Sequence, residues 1–145
     1  MTIDAQELTL TVERRINAAP EAVFDAWLSP EMLARFMLPG AGMKTPDVTT
    51  DPREGGSYSI LMKGAENEIL HTGTYLEITR PSRLAFTWHS PFSVEGSTVA
   101  LDFRPREGGT QVTLTHTRFE NADLRDQHQG GWTRILEVLD EIFAA

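Results

Sequence analysis

Residues 122–143 read ADLRDQHQGGWTRILEVLDEIF, and this stretch decides the fold. Its apolar residues recur at helical spacing and form one stripe, made of Trp132, Ile135, Leu136, Leu139 and Phe143. Asp123 and Asp126 lie near its start, where the helix dipole favours negative charge. The pattern predicts a long amphipathic helix from about Ala122 to Phe143 that buries one face.

The pair Gly130-Gly131 lies inside this helical pattern. Each glycine weakens a helix by about 1 kcal/mol relative to alanine. A helix that keeps both glycines has a reason to do so, and close approach of other atoms to its backbone is one candidate.

Seven segments before the helix are predicted strands, and four of them (the first, 83–89, 98–104 and 110–118) have their apolar residues on one face. Leu8, Leu10 and Val12 mark the first strand. The other six are predicted at 43–50, 57–62, 69–78, 83–89, 98–104 and 110–118. Clusters of glycine, proline and aspartate separate several of them, so consecutive strands are expected to pair as an antiparallel meander.

Two short helices, at 20–28 and 31–37, are predicted between the first two strands. Pro20 and Pro30 each suit a first helical turn, where the missing N–H has no intrahelical partner. Ser29 is the expected N-cap of the second helix. Together these elements predict an α+β domain in which a curved sheet of about seven strands wraps around one long carboxy-terminal helix. A void remains between sheet and helix unless large side chains fill it.

Length and charge restrict the class of protein. The 145 residues fit a single domain spanning 1–145. The net charge of -8 disfavours binding to nucleic acid. The sequence has no run of about twenty apolar residues, so stable membrane insertion is not predicted. The absence of cysteine and of a visible signal peptide indicates a cytoplasmic protein.

The order of these segments resembles the START-like (helix-grip, SRPBCC) superfamily. Within it, the chain is similar to the single-domain bacterial homologues of the activator of heat-shock-protein-90 ATPase. The resemblance rests on the segments 16–27, 29–31, 35–36, 55–58, 83–88, 113–116 and 131–132, together with Gly73, Glu77-Ile78, Pro81, Leu136 and Leu139. Phe36 departs from it, since many relatives have tryptophan there.

This resemblance implies a helix-grip fold with a cavity between the sheet and the long helix. In the superfamily that cavity holds lipids, sterols, polyketides or other apolar molecules, and some branches use it for cyclase, aromatase or hydrolase reactions. The eukaryotic activator contacts the chaperone through a separate amino-terminal domain.

Aromatic and thioether side chains are the main candidates for a ligand site, because they provide flat or adaptable apolar walls. The set expected to point into one volume is Trp27, Phe36, Met37, Tyr58, Met62, Trp88 and Trp132. The alternative for each residue is a place in a filled core. A solid core with Trp88 against Trp132 and no cavity would contradict the ligand hypothesis.

Two histidines complete the predicted ligand-binding set. His116 shares the inward face of its strand with Leu114, so it could bond a ligand, act as a base or be a core-edge residue bonded to nearby backbone. His128 precedes Trp132 by one helical turn and lies either at the pocket mouth or in an exposed first turn. Arg35 could steer a carboxylate at the mouth or be a surface residue. The histidine spacing matches no metal motif, so neither a metal nor a cofactor is predicted.

Three functions follow as hypotheses. The first is binding of a small apolar or amphipathic molecule in the cavity. The second is an enzyme of the cyclase, aromatase or hydrolase kind, which needs a polar pair within hydrogen-bonding reach inside the pocket. The third is a co-factor that stimulates a chaperone ATPase. A weak homodimer is retained as a possible assembly.

Overall fold

The structure is a computed structural model that describes residues 8–144. Its strands are β1 (Thr9–Ile16), β2 (Lys44–Thr50), β3 (Ser57–Lys63), β4 (Glu68–Thr79), β5 (Arg83–Thr87), β6 (Thr98–Arg106) and β7 (Gly109–Thr117). Its helices are α1 (Pro20–Ala26), α2 (Pro30–Phe36) and α3 (Ala122–Ala144). The predicted order of elements is confirmed, with boundaries that differ by a few residues.

The seven strands form one antiparallel sheet in the order β1-β7-β6-β5-β4-β3-β2. Strands β2 to β7 make the predicted meander, and β1 joins the far edge, where Thr9 lies opposite Thr117. The sheet curls into a half-barrel whose concave face holds the core. Leu84, Leu101 and Leu114 from the sheet are fully buried there. The fold class predicted from the sequence is therefore confirmed.

Helix α3 packs against β1 and α2 across the open side of this half-barrel. Its buried residues are Trp132, Ile135, Leu136 and Leu139, which form most of the predicted stripe. None of residues 122–131 is buried, so the helix has an exposed first half and a packed second half. Within residues 8–144, no helix is both long and apolar enough to cross a membrane.

The glycine pair of α3 is explained at one position and not at the other. A Cβ atom on Gly131 would lie 3.1 Å from Cβ of Pro39, in the loop after α2, so the expected close approach is confirmed there. The space around Gly130 is open, and the same expectation is wrong for it. The N-cap prediction is also confirmed, since Oγ of Ser29 accepts a hydrogen bond from the Met32 N–H at 3.2 Å.

Candidate functional site

A pocket of about 460 Å³ opens between the sheet and α3. Its sheet side is made of Met62 on β3, Ile69 and His71 on β4, and Trp88 just after β5. Met62 lies directly opposite Ile69 in the β3–β4 ladder. His71 is two residues further along β4 and therefore points to the same face. The alternation of β4 thus places a histidine in the pocket wall.

The helix side of the pocket comes from α3. Leu124, His128, Gly131 and Ile135 line it at intervals of four, three and four residues, together with Trp132. This spacing puts them on one face of the helix. The exposed first half of α3 and the beginning of its packed half therefore both face the pocket.

The loop between α2 and β2 closes a third side. Pro39, Gly40 and Met43 line the pocket there. Because Pro39 lies against the backbone of Gly131, the glycine allows this loop to approach the helix closely.

The wall is largely apolar and contains no lysine, arginine, aspartate or glutamate among the described residues. Its polar side chains belong to His71, Ser90, Gln127 and His128. Arg35 is not in the wall, since it is exposed and its guanidinium contacts Sδ of Met32 at 3.7 Å. The volume falls within the range of roughly 300–1,000 Å³ that is usual for small-molecule sites.

The predicted ligand-binding set divides into residues that line this pocket and residues that do not. Met62, Trp88, His128 and Trp132 line it. Trp27, Met37 and Tyr58 instead surround a separate void of only about 10 Å³, which Trp88 also borders. Phe36 is fully buried edge-on against Trp27, with ring centroids 5.0 Å apart. The expectation of one shared volume is therefore wrong, because α1 and α2 fill that end of the half-barrel with large side chains.

Trp88 and Trp132 are in contact, with ring centroids 5.0 Å apart. The core between the sheet and the packed half of α3 is thus filled, as the alternative to the ligand hypothesis requires. The pocket lies beside these two rings, towards the exposed half of α3, so the same rings form its floor.

His116 does not line the pocket and is fully buried behind Trp132. Nε1 of Trp132 donates a hydrogen bond to Nδ1 of His116 at 3.0 Å, so Nδ1 carries no proton. Nε2 of His116 lies 2.7 Å from Oγ of Ser97 and donates to it in the neutral ring. Burial lowers the pKa of His116 to about 3. Both ring nitrogens of His116 are thus bonded to side chains. The alternative of a core-edge histidine predicted a bond to nearby backbone instead.

His71 and Trp88 form a second pair of this kind, with ring centroids 4.8 Å apart. Nδ1 of His71 and Nε1 of Trp88 are both buried and have no hydrogen-bond partner among the described residues. Burial is the main cause that lowers the pKa of His71 to about 4, and the backbone hydrogen bonding that Ile60 and Ile69 offer to the ring opposes this shift. The ring is therefore neutral near pH 7.

His128 lies on the pocket side of α3, as one of its two predicted positions requires. Its Nδ1 is 2.7 Å from the carbonyl oxygen of Leu124 and must donate to it, because a carbonyl only accepts. Its ring also contacts His116 and Phe119, at centroid distances of 5.4 and 5.2 Å. Among residues 8–144, no group of three His, Asp or Glu side chains could hold a metal ion.

The sequence profile of the family described as "Activator of Hsp90 ATPase homolog 1-like protein" matches residues 17–144. The chain belongs to this family. Among the curated proteins, none matches this chain.

Solved structures agree with the family assignment. The AHSA1-like protein from Aeromonas hydrophila is 27% identical, with a TM-score of 0.79, and the match covers 92% of this chain and 90% of that one. A protein from Nitrosomonas europaea is 24% identical over 98% of this chain and 97% of that one, also with a TM-score of 0.79. An HSP90 activator from Plasmodium falciparum is 22% identical, with a TM-score of 0.74 and coverage of 94% and 96%. The last two share the fold.

Several wall residues of this activator homologue were not predicted as ligand-binding. The sequence offered one usable signal, for His71, which shares its face of β4 with the buried Gly73 and Tyr75. Pro39, Gly40 and Met43 lie in a loop, where no periodicity shows which side chains face inward.

Proposed function

We propose that this activator homologue binds a small apolar or amphipathic molecule in the pocket between the sheet and α3. The observation that carries the proposal is the pocket itself, about 460 Å³ in volume, with a largely apolar wall and no Lys, Arg, Asp or Glu in the described residues that line it. Burial of apolar ligand surface in such a wall is favourable by roughly 25 cal/mol per Å² before the costs of association.

The ligand-binding hypothesis is preferred over an enzyme for a geometric reason. Catalysis by a polar pair needs two side chains that act on one another and on the substrate. Of the four polar wall side chains in the described chain, no two are hydrogen-bonded to each other. His116, the candidate base, is bonded to Trp132 and Ser97 and lies outside the wall.

Binding is tested with the neutral fluorescent probe N-phenyl-1-naphthylamine and a variant that fills the pocket. Gly40→Phe adds an aromatic ring beside Met43, where a Cβ atom would meet only ordinary contacts at 3.7 Å. We expect the variant to bind the probe at least about tenfold more weakly than the wild type, a difference of about 1.4 kcal/mol.

Gly64→Phe is the matched control, because Gly64 lies in the β3–β4 turn and a Cβ atom there meets only the carbonyl oxygen of Asn67 at 3.5 Å. Probe binding that is equal in all three proteins would contradict the proposal. Native mass spectrometry of protein purified from its own host then gives the mass of the natural ligand.

Stimulation of the Hsp90 ATPase is the second candidate function. The family description and the Plasmodium relative favour it. Leu70 and Leu76 on β4 are also about half exposed, at 50% and 52%, and present apolar surface on the outer face of the sheet. A specific interface needs about 800 Å² per partner.

An ATPase assay with Hsp90 from the same host should show stimulation that Leu70→Ser and Leu76→Ser reduce. An ATPase rate that this protein leaves unchanged would contradict the function.

A further inference from the structure

The unpaired nitrogens of His71 and Trp88 require an explanation. Leaving a buried polar group without a hydrogen bond costs about 1–3 kcal/mol. The two atoms are buried, in residues that are 7% and 2% exposed, so bulk solvent does not reach them. Both residues belong to the pocket wall, and their rings are only 4.8 Å apart. Because the two rings are adjacent in the wall, we treat them as one candidate site for a polar group of a bound molecule.

The chemistry of the two nitrogens restricts that polar group. Nε1 of Trp88 only donates, so its partner has to be an acceptor. Nδ1 of a neutral histidine either donates or accepts, depending on the tautomer. A hydroxyl group can accept from Trp88 and either donate to His71 or accept a second bond from it. A carbonyl oxygen only accepts hydrogen bonds. It can therefore bond to both rings only in the tautomer of His71 that has the proton on Nδ1.

The wall also restricts the charge of the ligand. An ionised carboxylate or ammonium group loses most of its hydration in a pocket and needs an opposite charge nearby to compensate. No Lys, Arg, Asp or Glu is present among the described wall residues, and His71 is neutral near pH 7 because burial holds its pKa at about 4. A charged head group is therefore disfavoured at this end of the pocket.

We infer that the ligand is a neutral molecule with an apolar body and one hydroxyl group, and that this hydroxyl bonds to Nδ1 of His71 and Nε1 of Trp88. This inference rests on the proposed function. Both nitrogens are buried in this structure, so the inference requires the two side chains to move when the ligand enters.

Three probes with the same ring frame test this selection: 2-naphthol, naphthalene and 2-naphthoate. One hydrogen bond is worth about 0.5–1.5 kcal/mol, so two predict that 2-naphthol binds about tenfold more tightly than naphthalene. We expect 2-naphthoate to bind more weakly than 2-naphthol by at least a similar factor. Dissociation constants come from NMR titration at pH 7.

His71→Phe removes the nitrogens and keeps a ring in the wall. The variant should lose the preference for 2-naphthol and keep the wild-type affinity for naphthalene within about twofold, since the apolar contacts remain. His89→Phe is the matched control, because His89 follows Trp88 directly and is exposed on the opposite face. This control should keep the full preference for 2-naphthol.

The indole N–H resonances give a second readout. Trp27, Trp88 and Trp132 give three ¹H–¹⁵N signals, which Trp27→Phe and Trp88→Phe assign. We expect the Trp88 signal to lie further downfield with 2-naphthol than with naphthalene. The Trp132 signal should shift equally with both probes, because it is already bonded to His116 and responds only to their ring currents. A Trp88 signal that is downfield without ligand and unmoved by 2-naphthol would show that a water in the small void beside Trp27 is its partner, and would overturn the inference.

The outcomes separate the two proposals. If naphthalene and 2-naphthol bind equally well to the wild type, the hydroxyl selection is wrong and the binding function stands. If none of the three probes shifts the resonances of wall residues, the binding function fails as well.

Discussion

Two tryptophan–histidine pairs lie side by side in the concave face of this sheet, and they differ in one respect. In the pair Trp132–His116 the indole N–H donates to the imidazole, and the other imidazole nitrogen bonds to Ser97. In the pair His71–Trp88 the rings lie close together, yet Nδ1 of the histidine and the indole nitrogen have no partner in the described chain. Both tryptophans line the pocket, whereas of the two histidines only His71 does, and His116 is fully buried behind Trp132. The indole nitrogen of Trp27, which does not line this pocket, is also without a partner in the described chain.

With the proposed function, the same two residue types serve stability in one pair and recognition in the other. A polar group with all its partners fixes the geometry of a core. A polar group left without a partner costs stability until another molecule supplies one. We therefore expect the two pairs to respond in opposite ways to mutation and to ligands.

The largest effect is expected from His116→Phe. This change removes the acceptor of the Trp132 indole and the partner of Ser97, so two buried groups lose their hydrogen bonds. The free energy of unfolding should fall by about 2–5 kcal/mol, as measured by urea denaturation. A loss below about 1 kcal/mol would show that the hydrogen-bonded chain does not stabilise the core.

Acid should destabilise the protein through both pairs. The pKa values of His71 and His116 are lowered from 6.5 to about 4 and about 3, so below pH 6.5 the unfolded chain binds protons that the folded chain does not. Stability is then complete above pH 6.5 and falls as the pH falls, by up to about 1.4 kcal/mol per pH unit for each histidine.

Urea denaturation between pH 6.5 and 5 measures this slope while most carboxylates stay ionised. We expect His71→Phe and His116→Phe each to reduce it by about half. A slope that neither variant changes would mean that both histidines are protonated in the folded protein.

The smallest effect on stability is expected from His71→Phe at pH 7. No hydrogen bond of Nδ1 to the protein is lost, and an unpaired polar group is replaced by an apolar ring of similar shape. The free energy of unfolding should change by no more than about 1 kcal/mol in either direction. A loss as large as that of His116→Phe would show that His71 has a structural partner and would remove the contrast between the pairs.

Much of the fold could be predicted because its patterns are local. The alternation Val99, Leu101, Phe103 and the helical stripe around Leu136 each report on one element and its buried face. The placement of β1 beside β7 is different, since it depends on pairing between chain ends and no short stretch of sequence encodes it.

The site could be predicted only in part. Trp88 and Trp132 were found because large aromatic residues on inward faces have to border either core or cavity. His71 is harder to place from the sequence, because apolar Ile69 and Leu70 are adjacent and blur the alternation of β4, and Leu70 proves to be exposed. Trp27 and Phe36 were expected in the cavity, since the sequence does not show how far two short helices fill one end of a half-barrel.

The division of α3 into an exposed and a packed half has a consequence for how its amides exchange with solvent. Residues 122–131 contribute no buried side chain, whereas Ile135, Leu136 and Leu139 are in the core. Amide hydrogens in the first half should therefore exchange through local opening, and those around Leu136 only when the whole domain unfolds. Since Leu124 and His128 lie in the first half, local opening there would change the pocket wall while the rest of the domain stays protected.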